Sequence, residues 1–365
     1  MKAQVLLKAN SPMILEEVGL QDPLTNEVKV RMVAATVCHT DLAFVQGLHH
    51  QPAPPMVLGH EGAGIVEKVG PGVTNLKAGD KIVLSTAGSC GMCDFCWTGR
   101  PSMCPVASAK RHEGTLLDGT RRLKRQNGTE LNHFMLLSCF AEYVVVPVRS
   151  AIKVPQQVPL EKVCMYACGA STGVGAVFNV AKVKAGSNVA IWGCGGLGLC
   201  ALLAAKLAGA GKIICVDILK DKLSFARELG VDYTVDASKE DPVTRIKQLT
   251  GGGADYCLEF AGNVKVISQA VEAAKPGGIT VVSGAPPAGD KITLDWPHFL
   301  GGKVLTGAHL GAMVPAVDIP NWVELTMQGK LPIERLITRT LPLDSLNQAM
   351  EYLATGEVGR TLITY

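Results

Sequence analysis

Four cysteines crowd into a short stretch of the chain: Cys90, Cys93, Cys96 and Cys104 form a C-x2-C-x2-C-x7-C run. Glycine stands beside or near several of them, as tight turns around a metal require. Four thiolates at this spacing close a tetrahedral shell around zinc and leave no open position, which is a structural site. An iron–sulfur cluster is the rival, because thiolate spacings overlap between the two. Disulfide pairing is disfavoured by the crowding. A second set of metal-capable residues is scattered: Cys38 in Val37-Cys-His39-Thr40-Asp41, His60 and Glu61 in Gly59-His-Glu-Gly62, and Cys168 in Cys168-Gly-Ala-Ser-Thr172-Gly. Spacing does not join these, and each taken alone reads more readily as a buried thiol or a packed histidine.

The third chemical signal is glycine-rich. Val189-Ala-Ile-Trp-Gly193-Cys-Gly195-Gly196-Leu197-Gly198 follows a strand pattern and opens a helical one. Gly193 permits a tight turn, Gly195 lets backbone approach a pyrophosphate, and Gly198 allows close packing of the helix. The helix N-terminus offers unpaired N–H groups and a positive dipole end to phosphate. A GxGxxG run is weak evidence alone. Here the next strand pattern ends in Asp217, nineteen residues after Gly198. An acid there accepts hydrogen bonds from the ribose hydroxyls and repels a 2′-phosphate, which argues for NAD over NADP. Lys222, one helical turn on, is within reach of the adenosine ribose. A helix N-cap is the plainer reading of Asp217, and the two roles can coexist.

These residues need elements to hold them. At 365 residues the chain is too long for one ordinary core, so two domains are expected. Up to about residue 160, runs such as 28–33, 64–69 and 81–84 read as short strands punctuated by Gly and Pro. From about 170 to 300, strand and helix patterns alternate, the mark of a doubly wound parallel sheet. A last segment, from about 309, carries one or two amphipathic helices and a terminal strand expected to rejoin the first domain. Small-molecule sites favour clefts between such domains. The run Val189 to Ala205 lacks charge, yet its glycines read as strand, turn and helix rather than a membrane span. The net charge of +3 does not point to nucleic acid. No long apolar leader opens the sequence, and twelve cysteines suit a reducing compartment, so a cytoplasmic location is expected.

Taken together, these motifs resemble the zinc-containing medium-chain dehydrogenase/reductase family, and more closely its liver-type and glutathione-dependent-type alcohol dehydrogenases with their bacterial relatives. Asp118-Gly-Thr120, Val216-Asp-Ile-Leu-Lys-Asp-Lys222 and Gly359-Arg360-Thr add to the likeness, which spans nearly the whole chain. The resemblance implies a strand-rich, GroES-like catalytic domain over 1–169, completed by 309–365, with a zinc lobe at about 88–106. It implies a Rossmann cofactor domain over 170–308. It also implies that Cys38, His60 and Cys168 hold a catalytic zinc, with Glu61 behind it and Asp41 orienting His60. A zinc so held lowers the pKa of an alcohol, Thr40 takes the proton, and hydride passes to the nicotinamide. Thr172 and Leu197 are expected near the nicotinamide, and His39 and Arg360 at the pyrophosphate. A homodimer or homotetramer joined near 301–307 is implied as well.

One departure changes the mechanism expected. Many relatives carry a histidine five residues beyond the first zinc cysteine, and here that position is Ala43. Proton release must then use water or a neighbour such as His49 or His50. The resemblance also places His49, Thr86, Phe134, Met135, Ala285 and His309 around the substrate. The small Thr86 and Ala285 suggest room for a bulky, cyclic or aromatic alcohol, primary or secondary. The loop 48–56 lacks an acid, which speaks against a glutathione adduct. The basic run Lys110, Arg111, Arg121, Arg122, Lys124 and Arg125 is either a solvated loop or a dock for an anionic substrate tail. Rival functions are a zinc-free, NADP-linked enone or quinone reductase on the same fold, and a binding protein that kept the scaffold without catalysis.

Overall fold

The computed structural model describes residues 1–49, 51–287 and 289–365. The chain divides into two compact units, one of Met1–Cys168, Met313–Gly329 and Ile333–Tyr365, the other of Gly169–Ala312 and Lys330–Pro332.

The first unit is built on strands. Its central strand, Glu27–Thr36, alternates buried Val28, Val30, Met32 and Ala34 with more exposed positions, the period of a sheet with one inner face. Each apolar side chain buried there is worth about 1.5–3 kcal/mol against exposure. Glu27–Thr36 pairs antiparallel with Glu61–Val69, Tyr143–Pro147 and the last strand, Arg360–Thr364. The sheet continues through Lys81–Leu84 to Ala151–Lys153 on one side and to Ile337–Pro342 on the other. A separate closed barrel joins Lys2–Leu6, Ile14–Leu20, Leu123–Arg125, Glu130–His133 and Met56–Val57. The helices Pro315–Met327 and Leu346–Ala354 complete this unit.

Two members of the basic run, Arg122 and Arg125, are engaged inside this unit and are not available as free cations for an anionic tail. Arg122 is buried and forks onto Glu27 at 2.9 and 2.6 Å, with Asp118 at 2.6 Å. Arg125 forks onto Glu16 at 2.8 and 2.9 Å. Arg121 bonds Asn132, and Lys110 bonds Glu113. Nor are Arg122 and Arg125 simply solvated. Apart from Asp118, four residues from Arg122, their carboxylate partners Glu27 and Glu16 lie 95 and 109 residues away in sequence, so only the fold reveals them.

The second unit is a six-stranded parallel sheet in the order Tyr233–Asp236, Lys212–Asp217, Asn188–Trp192, Ala254–Glu259, Ala274–Val282, Val304–Gly307. The strand order reverses between Asn188–Trp192 and Ala254–Glu259, the switch point at which such sheets bind ligands. The charge-poor run at 189–205 is here the strand Asn188–Trp192 followed by the helix Gly196–Leu207. Among the described residues no helix is long and apolar enough to cross a membrane. Residues 309–312 stay with this unit because Gly311 packs directly on the helix Gly169–Gly175; a Cβ on Gly175 would meet Gly311 O at 2.3 Å.

Candidate active site and metal centres

Strand register assembles the scattered cluster. Thr36, the last residue of Glu27–Thr36, lies opposite Glu61, the first of Glu61–Val69. Cys38 therefore leaves the sheet at the same end where His60 enters it. Gly59 makes that entry possible: its φ is +90, and a Cβ would meet Phe140 at 2.7 Å. Cys168 arrives from a third direction. Thr86, just past the strand Lys81–Leu84, holds Ala167 O by its backbone N–H at 3.2 Å and its hydroxyl at 2.9 Å. The ligand atoms of Cys38, His60, Glu61 and Cys168 then all lie within 4.8 Å of one another.

Asp41 organises this cluster. Its carboxylate accepts from Cys38 N at 3.1 Å, Gly59 N at 3.1 Å and His60 Nδ1 at 3.0 Å. With Nδ1 donating to Asp41, the lone pair of His60 sits on Nε2, which is buried and makes no hydrogen bond. Asp41 overcomes the effect of burial and holds the His60 pKa well above the usual imidazole range. The nearness of Cys168 and of His60 pulls the Cys38 thiol well down, and Cys38 together with burial pushes that of Cys168 up. Two neighbouring buried thiols cannot both ionise without a cation between them. An orphaned imidazole nitrogen facing two such thiols is the donor set of a catalytic zinc, and these residues fit the ion. Phe134 packs edge-on against the His60 ring, with centroids 5.4 Å apart.

Glu61 is held back from this set. Its Oε2 accepts from Thr36 Oγ1 at 2.5 Å and from Arg360 Nη2. Burial pushes its pKa up to about 7 against the pull of Arg360. Neither Thr36 nor the Glu61–Arg360 pair is visible in sequence; the signal was register, since Leu362 lies opposite Thr36 and sets Arg360 two residues away.

The four-cysteine lobe is local. Sγ separations are 3.5 Å for Cys93–Cys96, 3.8 Å for Cys93–Cys104 and 4.0 Å for Cys90–Cys96. A tetrahedral shell of 2.3 Å zinc–sulfur bonds sets sulfurs about 3.8 Å apart. A cluster of several irons would spread them wider, so one ion fits best. Backbone N–H groups of Met92, Cys90 and Ala107 point at the sulfurs. Burial opposes ionisation of Cys90, but those donors and the neighbouring thiols bring it down to about 7.

In the second unit Gly193 takes φ +90, and a Cβ on Gly198 would strike Gly193 O at 1.9 Å. Gly195 is the N-cap, and among the described residues a Cβ there would meet nothing within 4 Å. Asp217 ends the strand Lys212–Asp217; it accepts from Cys194 N at 2.8 Å, inside the glycine turn, and from Leu219 N at 2.9 Å. Leu219, not Asp217, is the N-cap of the following helix, which carries a half-buried Lys222. A Cβ on Gly173 would meet Leu197 O at 2.2 Å, so Thr172 and Leu197 lie on closely packed neighbouring helices.

The profile of the alcohol dehydrogenase GroES-like domain matches residues 25–156, and that of zinc-binding dehydrogenases matches residues 196–326. An alcohol dehydrogenase class-3 of Drosophila melanogaster is 40% identical over 369 residues, covering 100% of this chain and 97% of its own. The chain belongs to the zinc-binding alcohol dehydrogenase family. Another member, S-(hydroxymethyl)glutathione dehydrogenase of Paracoccus denitrificans, is 37% identical, covering 100% of this chain and 99% of its own. The benzyl alcohol dehydrogenase of Acinetobacter calcoaceticus superposes with a TM-score of 0.95 at 37% identity, covering 100% and 98%. As a member, this protein is an oxidoreductase of a zinc-binding family, and it carries two clusters of cysteine and histidine with the geometry to hold a metal ion.

The remaining expected residues fall as follows. Thr40 is half-buried, with Oγ1 3.9 Å from Cys38 Sγ, and His39 is exposed on the same first turn of the helix His39–Val45. Phe134 and Thr86 are buried and Met135 is half-buried, in the first unit. His49 is exposed and its ring lies 5.3 Å from that of Phe44. Ala285 and His309 are exposed positions of the second unit. His50 lies outside the described residues.

Proposed function

We propose that this enzyme oxidises a primary or secondary alcohol to its aldehyde or ketone, reversibly, with NAD as hydride acceptor. One observation carries the reading: a buried, unpartnered His60 Nε2 faces two thiols from distant parts of the chain. A zinc held by Cys38, His60 and Cys168 supplies a Lewis acid that lowers the pKa of a bound alcohol. Thr40, beside Cys38, takes the alcohol proton and passes it on. Asp41 keeps His60 in the tautomer that presents Nε2.

Gly193, Gly195, Gly196, Leu197 and Gly198 hold the cofactor pyrophosphate at the helix N-terminus. Asp217, pinned by two backbone N–H groups, presents acceptors to the ribose and supports NAD over NADP. Asp217→Asn should cut the preference for NAD over NADP by roughly 10–100-fold, the worth of one charged hydrogen bond. Lys222 stands beside the ribose, Thr172 beside the nicotinamide, and His39 and Arg360 at the pyrophosphate; for Arg360 that role coexists with its bond to Glu61.

For the substrate, Thr86, Phe134 and Met135 wall the site in the first unit, with His49, Ala285 and His309 as further contacts. An aromatic or alicyclic alcohol suits the small Thr86. A panel of aromatic, alicyclic, terpenoid and short alcohols, with S-(hydroxymethyl)glutathione included, read by NADH absorbance, tests this. Turnover with the glutathione adduct above every other member would overturn the substrate class. Turnover with NADPH on enones would overturn the reaction.

Two further parts of the proposal concern setting. Twelve cysteines, none in a disulfide among the described residues, suit a reducing, cytoplasmic location. The edge strand Val304–Gly307 lies close in sequence to exposed Trp296, Phe299 and Leu300, which supports pairing of two such edges in a homodimer or homotetramer.

A further inference from the structure

Arg111 differs from every other member of its basic run whose contacts are described above. Arg121, Arg122 and Arg125 all reach carboxylates, and Lys110 reaches Glu113. Arg111 forms no ion pair among the described residues. Its Nη2 makes one long bond to Gly88 O at 3.4 Å, and its Nε is buried with no partner. A guanidinium taken out of water without a carboxylate is costly unless some other negative charge stands by.

That charge is close by. Arg111 lies in the last turn of the helix Pro105–Glu113, whose N-cap is Cys104. Seven residues, two helical turns, separate them, so both lie on one face. Burial lowers the Arg111 pKa, and the two groups that raise it again are both cysteines, Cys104 and Cys168. Gly88, whose carbonyl Arg111 touches, lies between Thr86 and Cys90 in the segment that links the two cysteine clusters.

A divalent ion with four thiolates is a dianion. Near this lobe, Arg111 and Arg149 make no ion pair with a carboxylate among the described residues. Beside Arg111, the exposed Arg149 donates to Ser89 Oγ at 3.2 Å, and a Cβ on Gly91 would come within 2.9 Å of its Nη1. The lobe's own acid, Asp94, is exposed at the start of the helix Asp94–Trp97.

We propose that Arg111 is the charge-balancing partner of the four-cysteine metal centre, a positioning residue that holds the lobe's metal by its charge, with Arg149 as a weaker outer partner. The proposal rests on the metal reading of the lobe and not on the substrate or the reaction. It accounts for a part-buried arginine with no ion pair among the described residues in a run where Lys110, Arg121, Arg122 and Arg125 each reach a carboxylate.

The test uses the zinc-loaded enzyme challenged with a chromogenic chelator. A cobalt-exchanged sample is followed in parallel; both cysteine centres give a thiolate-to-cobalt charge-transfer band, so the lobe's share is read in a Cys168→Ser background expected to lose the other ion. Arg111→Gln keeps a donor for Gly88 O and removes the charge; it should release lobe metal roughly 10–100-fold faster, the usual cost of losing a partner behind a metal ligand. Arg111→Lys should restore most of the retention. Arg149→Gln should change it by only about threefold, because that charge is exposed and screened. Retention by Arg111→Gln equal to that of the native chain would overturn the proposal. So would release from Arg111→Lys as fast as from Arg111→Gln, which would make the role one of shape. Should Arg111→Gln not accumulate folded, Arg149→Glu carries the same test from the surface, and unchanged metal retention there would count against charge balance. A native chain without lobe metal would remove the metal reading itself, an outcome separate from either of these.

Discussion

The two cysteine-bearing centres have similar donors and opposite construction. The lobe draws Cys90, Cys93, Cys96 and Cys104 from one short stretch, and backbone N–H groups from the same stretch steady the sulfurs. The other centre draws Cys38, His60 and Cys168 from three places, and joins them through strand register, Asp41 and the Thr86–Ala167 bonds. A local loop can wrap an ion on all sides, which suits a closed structural site. Residues carried by separate elements leave a side unfilled, which suits chemistry. The difference teaches that a closed site needs only its loop, whereas an open one needs a fold.

Cys168→Ser tests the contrast hardest. It should lower kcat/KM by about 10³-fold or more, some 4 kcal/mol of transition-state stabilisation, while metal analysis falls from two zinc ions per chain to one. A variant that kept both ions and full activity would break the comparison. Asp41→Asn should cost roughly 10–100-fold in activity or in affinity for the catalytic metal, because His60 loses its charged acceptor, and should leave the lobe's metal in place. Cys104→Ser should reverse that pattern: a thermal unfolding midpoint lower by on the order of 5 °C with kcat/KM within about threefold, since metal binding in a closed lobe is folding free energy. A Cys104→Ser protein as stable as the native one would show that the lobe is not structural. The smallest effect is expected from Ala43→His. The half-buried Ala43 offers no proton carrier, so a histidine there should add an inflection near pH 6.5 to the pH–rate profile and raise the rate below neutrality by a few-fold. An unchanged profile would show that water already carries the proton.

Much of the fold was legible because its signals are local. The strand Asn188–Trp192, the helix Gly196–Leu207 and the strand Lys81–Leu84 follow from periodicity, glycine placement and β-branched runs. The closed barrel was not legible, because strands as short as Met56–Val57 and Leu123–Arg125 carry too few residues for a period. The partners of Arg122 and Arg125 were not legible for a related reason: Glu27 and Glu16 are remote in sequence and are brought to them only by the fold. At the active site, Cys38, His60 and Cys168 were joined by family likeness and not by spacing. Thr36 and the Glu61–Arg360 pair were missed because they depend on which residue of one strand faces which of another.

The sequence by itself determined the four-cysteine shell, the glycine turn with its acid, and the alternation of strands and helices, because each depends on residues within a few turns of one another. Only the tertiary structure decided that Cys38 and His60 meet, that Asp41 grips both their segments, that Glu61 is held by Arg360, and that Arg122 is neutralised while Arg111 is left for the lobe. The reason is physical: contacts across a sheet are set by register and closure, and a single residue of slip would turn the strand residues Glu61 and Arg360 to the opposite face and carry the segments attached to them out of reach.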